Sequence, residues 1–256
     1  MLAQERRSLI LEDLRTQGGV ETDDIAHRYG VSVETVRRDL LELEKLALLK
    51  RVYGGAISIT VTSRSEAPHS ERENIASEQK AQIAERVAEL IPESGTVFLD
   101  LGTTVEAVAR AFPSSFSGTI VTASLRAVGT LSRLERAEII VSGGRLRKSE
   151  LSLSGTMATS FLDGLYPDLA VISIGAITAD AGVTDYDFDE MHVKQSVLAN
   201  SQTAVVVADS SKFGKTAPFK LCDVEIPTYI ATDSGLDQSA IDALKDRGAQ
   251  LLLADA

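Results

Sequence analysis

The sequence predicts an α/β protein in two parts, a small helical N-terminal unit followed by a larger unit of alternating strands and helices. Three observations carry this reading. Residues 1–58 place apolar side chains at helical spacing, punctuated by Gly18–Gly19, Gly30 and Gly54–Gly55. Beyond residue 73, seven short apolar runs alternate with helical segments, the pattern of a largely parallel sheet. Between them, residues 59–72 carry few large apolar residues and read as a linker. The domains expected are therefore 1–58 and 73–256.

In the first unit, Leu2, Leu9, Ile10 and Leu14 mark a helix ended by Gly18–Gly19. A second helix runs from Thr22 to Tyr29 and buries Ile25 and Ala26. Gly30 supplies a tight turn, and Ser32 caps a third helix to about Ala47 with Val33, Val36, Leu40 and Leu43 as its core stripe. Two helices joined by a short Gly-containing turn describe a helix-turn-helix. At about 100° per residue, Ser32, Glu34, Thr35, Arg37 and Arg38 lie off the buried stripe. These are the residues that such a motif presents to base edges and phosphates of double-stranded DNA. "LLKRVYGGAIS" follows as a β-hairpin whose Lys50, Arg51 and Tyr53 form a wing. On pattern alone, Glu34 and Arg38 also fit an ordinary i,i+4 surface pair.

The charge is divided in the same way. The chain carries a formal net charge of −11, but residues 1–58 account for only −1 of it. An almost neutral module can present a basic face if its charges are sorted in space.

In the second unit a long helix is expected through Ile75, Ile83, Val87 and Leu90–Ile91, stopping at Pro92. The strands expected are "TVFLD", "TIVTA", "AEIIVSG", "DLAVISIG", "TAVVVAD", "TYIAT" and "QLLLA". Ligands of such sheets collect beyond the carboxyl ends of the strands, where this chain places its polar residues. The first strand ends at Asp100. Gly102 then allows close backbone approach to an anion, and Thr103 and Thr104 add hydroxyls at a helix N-terminus, although Thr103 also suits a simple cap. Thr122 and Ser124 end the second strand, and Gly143, Gly144 and Arg145 follow the third. Glu190 and Lys194 sit four residues apart on a helix with an acidic start, which an ordinary surface salt bridge also explains. Lys212, just past the strand ending at Asp209, suits a phosphate partner.

The same sequence excludes other chemistry. "DYDFDE" fails as a calcium loop because Glu190 stands where glycine is required. "FGKT" lacks the first glycine of a P-loop, and His27, His69 and His192 show no metal-ligand spacing. No nucleophile elbow is present, so neither a metal, a cofactor nor a catalytic residue is expected. One cysteine, the lack of a signal-peptide pattern and the lack of a membrane-length apolar run point to a cytoplasmic protein with no membrane partner.

Arg6, Ile10 and Leu14, followed after a gap by Ser32, Thr35, Val36, Arg37, Arg38, Asp39 and Leu40, resemble the N-terminal signature of the DeoR family of bacterial transcription regulators. "YGGA" resembles that family's wing. "DLGTT", "SGG", "DFDEMHVK" and "ADSSKFG" resemble its C-terminal sensor domain, which is similar in fold to sugar-phosphate isomerases. The resemblance implies a winged helix-turn-helix repressor, acting as a dimer or tetramer on operator DNA. A small phosphorylated sugar or polyol would be its effector, with Asp100, Gly102, Thr103 and Thr104 as the ligand loop and Glu190, Lys194 and Lys212 as charged partners. "PESGTVFLDLGTTVEAVARAF" and "YDFDE" look most similar to the glycerol-3-phosphate branch. One position departs from the family pattern: Ala123 stands where an Asn is usual, so Ser124 would have to substitute or ligand choice has changed. The other readings are an isomerase-like enzyme with a DNA-binding appendage, using Asp100 or Glu190 as base, and a constitutive regulator with a vestigial sensor.

Overall fold

The structure, a computed structural model, describes residues 6–7, 9–11, 13–14, 19–45, 49–52, 54–58 and 66–254. The chain forms two compact units, Met1–Ser63 and Arg64–Ala256.

In the first unit, helical backbone at residues 6–7, 9–11 and 13–14 precedes β1 (Gly19–Glu21), α1 (Thr22–Tyr29), α2 (Val33–Lys45), β2 (Leu49–Val52) and β3 (Gly55–Ser58). Ile10, Leu14, Ile25, Ala26, Val36, Leu40, Leu43, Leu49 and Ala56 form its core. Gly30, left-handed at φ 64°, ends α1 by donating its N–H to Ala26 O. The sheet order β1-β3-β2 adds one strand to the expected hairpin. That strand follows the Gly18–Gly19 break and pairs with β3 so closely that a Cβ on Gly55 would lie 2.0 Å from Val20 O.

The second unit begins with α3 (His69–Asn74) and α4 (Ser77–Ala88). It continues through β4 (Thr96–Leu99), α5 (Thr103–Ala111), β5 (Thr119–Thr122), α6 (Leu125–Leu131), β6 (Glu138–Val141), β7 (Arg145–Arg147), β8 (Ser152–Ser154) and α7 (Thr156–Leu162). Then come β9 (Leu169–Ser173), β10 (Ala176–Thr178), β11 (Gly182–Asp185), α8 (Phe188–Asn200), β12 (Thr203–Val207), a 3₁₀ turn at Ser210–Lys212, β13 (Phe219–Cys222), β14 (Tyr229–Asp233), α9 (Gln238–Asp246) and β15 (Leu251–Ala254). The seven expected apolar runs become one wholly parallel sheet, ordered β15-β14-β12-β9-β4-β5-β6. Alternate residues feed cores on both faces. Phe98, Ala170, Ile172 and Val206 pack on one side, and Val97, Leu99, Val171, Val205 and Val207 on the other. Burial on both faces is why these strands read as unbroken apolar runs rather than alternating ones. The chain moves one way from β4 through β5 to β6, then returns to β9 on the other side of β4, so the topological switch lies between β4 and β9.

Two expectations are corrected. Residues 66–72, read as linker, belong to the second unit: His69 is buried against Glu106, and Glu66 and Arg72 enter an ion-pair network. They are held by charge rather than by an apolar stripe, so they left no hydrophobic signal; residues 59–65 lie outside the described residues. The long helix expected through Ile75 is two helices. Ala76 is left-handed at φ 53°, and the buried Lys80 donates from Nζ to the carbonyls of Arg72 and Ile75, which fixes the break.

Candidate DNA-contacting face and ligand pocket

The first turn of α2 is built by Ser32, whose Oγ accepts the Thr35 N–H at 3.2 Å and meets Thr35 Oγ1 at 2.8 Å. Its outward side chains are open: Glu34, Arg37 and Arg38 are 64%, 65% and 78% exposed. Glu34 forms loose surface ion pairs with Arg37 at 3.9 Å and with Arg38 at 3.8 Å, the latter the i,i+4 pair the spacing allows. Both are beyond hydrogen-bond reach, so neither guanidinium is hydrogen-bonded among the described residues. Asp39 faces inward, 3% exposed, and takes Arg6 Nε at 2.5 Å and Arg7 Nε at 2.9 Å. This clamp fixes α2 against the N-terminal helical residues. Arg51 is more constrained than a free wing contact. Its Nε donates to Glu44 Oε2 at 2.7 Å and its N–H to Oε1 at 3.0 Å, and these bonds hold the Glu44 carboxyl below its usual value. Lys50 lies on β2, with its side chain outside the described residues, and Tyr53 is outside them altogether.

A pocket opens at the β4/β9 switch point, lined by Gly102, Thr103, Thr104, Ser173, Asp185, Glu190, Lys194, Lys212, Glu66 and Arg72 among others. Gly102, at φ 94°, adopts a conformation closed to other residues without strain and turns the chain into α5. No described side chain caps that helix start, and Thr103 and Thr104 line the pocket beside its first amides.

Lys194 anchors the floor. Its Nζ reaches Asp185 Oδ2 at 2.5 Å, Asp100 Oδ2 at 3.2 Å, Ser173 O at 3.0 Å and Ser173 Oγ at 3.2 Å. Burial works against its charge, yet Asp100, Asp185 and Glu190 more than compensate and raise its pKa. The expected exposed Glu190–Lys194 bridge is therefore absent among the described contacts: both residues are 2% exposed, and each has other partners. Glu190 accepts from Arg147 Nη1 at 2.8 Å and from Ser152 Oγ, while burial pushes its carboxyl up to about 7. Lys212 differs. It lines the pocket half-buried, forms no ion pair with any described residue, and has its pKa lowered by burial despite Asp209.

The structure thus gathers Gly102, Thr103, Thr104, Glu190, Lys194 and Lys212 around one opening. Asp100 lies behind Lys194, fully buried, with its pKa raised by burial; it positions Lys194 and Ser173 rather than lining the pocket. Thr122 and Ser124 are used locally. Thr122 Oγ1 accepts the Ser124 N–H, and Ser124 Oγ accepts the Ala127 N–H at the start of α6. Ser124 is buried and Ala123 is packed in the core, and neither is among the residues that line the pocket. The acidic start of α8 is explained by capping, since Asp187 accepts the N–H groups of Asp189 and Glu190. The residue missed from the sequence is Arg72. Its Nη1 would lie 4.0 Å from a Cβ on Gly102, against the Gly-Thr-Thr turn.

A parallel α/β domain with a charged, polar pocket at its switch point, in a chain that also carries a helix-turn-helix, has the make-up of a transcriptional regulator. Residues 6–62 match the DeoR-like helix-turn-helix domain and residues 75–234 the DeoR C terminal sensor domain. The chain belongs to the DeoR family of transcriptional regulators. It is 33% identical over 253 residues to the glycerol-3-phosphate regulon repressor of Escherichia coli K12, covering 99% of this chain and 100% of that one. It is 31% identical to the putative aga operon transcriptional repressor of Escherichia coli O157:H7, covering 97% and 93%. Among solved structures, ribose 5-phosphate isomerase A from Methanocaldococcus jannaschii is 15% identical, with a TM-score of 0.41 over 55% of this chain and 56% of that one. No helix among the described residues is long and apolar enough to cross a membrane.

Proposed function

We propose that this chain represses genes of sugar or polyol metabolism. It binds operator DNA through Ser32, Thr35, Arg37 and Arg38 with help from the wing, and it is controlled by a small phosphorylated sugar or polyol in the switch-point pocket. The observation that carries the effector reading is the pairing of the helix N-terminus at Gly102–Thr104 with Lys212, a half-buried cation that Asp209, Glu66 and Asp185 attract only at longer range and that forms no direct ion pair among the described residues. A phosphate supplies the missing charge, accepting from the amides and threonine hydroxyls on one side and from the ammonium on the other. Thr103 and Thr104 then bind the ester, Lys212 neutralises it, and Lys194 with Asp100 and Asp185 sets the floor that meets the effector's hydroxyls.

Effector control requires unequal affinity for the DNA-competent and DNA-incompetent arrangements. One helix-turn-helix covers a half-site, so a homodimer or homotetramer is the operative form. An isomerase reading needs an unengaged carboxylate over the sugar carbons. Asp100 is fully buried behind Lys194 and does not line the pocket, and both Glu190 oxygens already accept donors, which favours sensing over turnover. The test is isothermal titration of the full chain with glycerol-3-phosphate, fructose-1-phosphate, fructose-6-phosphate and their unphosphorylated parents. Saturable binding of an ester without binding of its parent supports the assignment; equal binding of both removes the phosphate role.

A further inference from the structure

Arg72 engages all three of its guanidinium nitrogens, two with the segment that follows the unit boundary and one with Glu150. Its Nε donates to Ala67 O at 2.9 Å, its Nη1 meets Glu66 Oε1 at 2.9 Å, and its Nη2 meets Glu150 Oε2. Glu66 also reaches Arg147 Nη2 at 3.2 Å through its other oxygen, and Arg147 passes the chain on to Glu190 at 2.8 Å. These side chains are largely withdrawn from water: Arg72 is 11% exposed, Glu66 12% and Glu150 2%. The guanidinium thus sits over the Gly102 turn while its charge is taken up by carboxylates.

We propose that Arg72 is a second phosphate ligand and also a latch. The effector's phosphate takes Arg72 from Glu66, and this frees the segment 66–72 that runs directly into the DNA-binding unit. The proposal rests on the pocket being the effector site. A dianion on the α5 N-terminus, between Lys212 and Arg72, faces Glu66 and Glu150 as like charges. Glu150 is the more deeply buried and sits on the β7–β8 turn of the sensor domain. Glu66 lies three residues past the end of the first unit, and its departure breaks the contacts to Arg72 and Arg147 together. Lys80, bonded to the carbonyls of Arg72 and Ile75, is the fixed point beyond which the freed segment is anchored.

The test uses full-length protein and inorganic phosphate, the group common to every phosphorylated effector, with sodium chloride at matched ionic strength as control. In the wild type, phosphate should raise amide exchange in residues 66–72 roughly tenfold while α4 stays unchanged. Glu66→Gln, which keeps the shape but removes the competing charge, should bind phosphate on the order of tenfold more tightly. Its DNA affinity without phosphate should equal that of phosphate-saturated wild type, with no further response. Phosphate binding that leaves exchange at 66–72 unchanged overturns the latch while sparing the pocket, as does a Glu66→Gln protein with wild-type DNA affinity. If neither protein binds phosphate, the pocket assignment falls and the latch with it. The exchange measurement on wild type stands even if the variant fails to fold.

Discussion

Replacing Lys212 with Met deletes the ammonium but keeps most of the stem. The structure gives opposite signs for its effects with and without ligand. Without ligand, Lys212 is a half-buried cation that forms no ion pair with any described residue, and burial already lowers its pKa. Removing it relieves that desolvation, so the free variant should unfold at an equal or higher urea concentration than wild type. With ligand, a charge-assisted hydrogen bond to phosphate is lost, worth about 1.5–3 kcal/mol. That corresponds to a roughly 10- to 150-fold weaker effector Kd. Calorimetric titration with the ester that binds wild type best reads the second effect, and urea unfolding the first. Operator affinity without effector should stay within about twofold. An effector Kd within twofold of wild type would refute the phosphate role of Lys212, and a marked loss of stability would show that the ammonium has a structural partner.

Three further substitutions probe other parts of the account. Arg38→Ala should weaken operator binding by about 1–3 kcal/mol and relax preference at one base pair, if Arg38 reads a guanine; unchanged affinity at matched salt removes it from the contact set. Asp39→Ala leaves Arg6 buried without its partner, which costs about 3–5 kcal/mol; operator binding and the first unit's thermal transition should both be lost while effector binding persists. Glu190 is pushed up to about 7 in the folded protein from an ordinary value of 4.5. A raised carboxylate contributes stability below pH 4.5 that is lost as pH rises through 7, about 2 kcal/mol between pH 5.5 and 8. Urea unfolding at these two pH values should show that loss in wild type and not in Glu190→Gln; parallel behaviour would mean that Arg147 and Ser152 hold Glu190 ionised throughout.

The parallel sheet was legible because both of its faces are buried, so each strand wrote an unbroken apolar run. The first unit was legible because Ile10, Ile25, Val36 and Leu40 keep helical spacing and glycines mark its turns. The short antiparallel strands β7, β8, β10, β11 and β13 were not, since their three or four residues carry no period long enough to read. In the pocket, Gly102, Thr103, Thr104 and Lys212 could be named because they fall at strand ends. Arg72 could not, because a polar segment fixed by ion pairs looks like a linker in one dimension. Glu190 and Lys194 both line the pocket, but their i,i+4 spacing suggested each other as partners, and the fold supplied Arg147, Asp100 and Asp185 instead.

The most direct test of the central claim is fluorescence anisotropy of the full chain on duplex DNA from its own upstream region, titrated at fixed salt with the phosphate esters and their unphosphorylated parents. The account predicts that one ester changes operator affinity by at least about fivefold, the low end of typical coupling between sites, while its parent does nothing. Tight operator binding that responds to no ester, or equally to ester and parent, would contradict it.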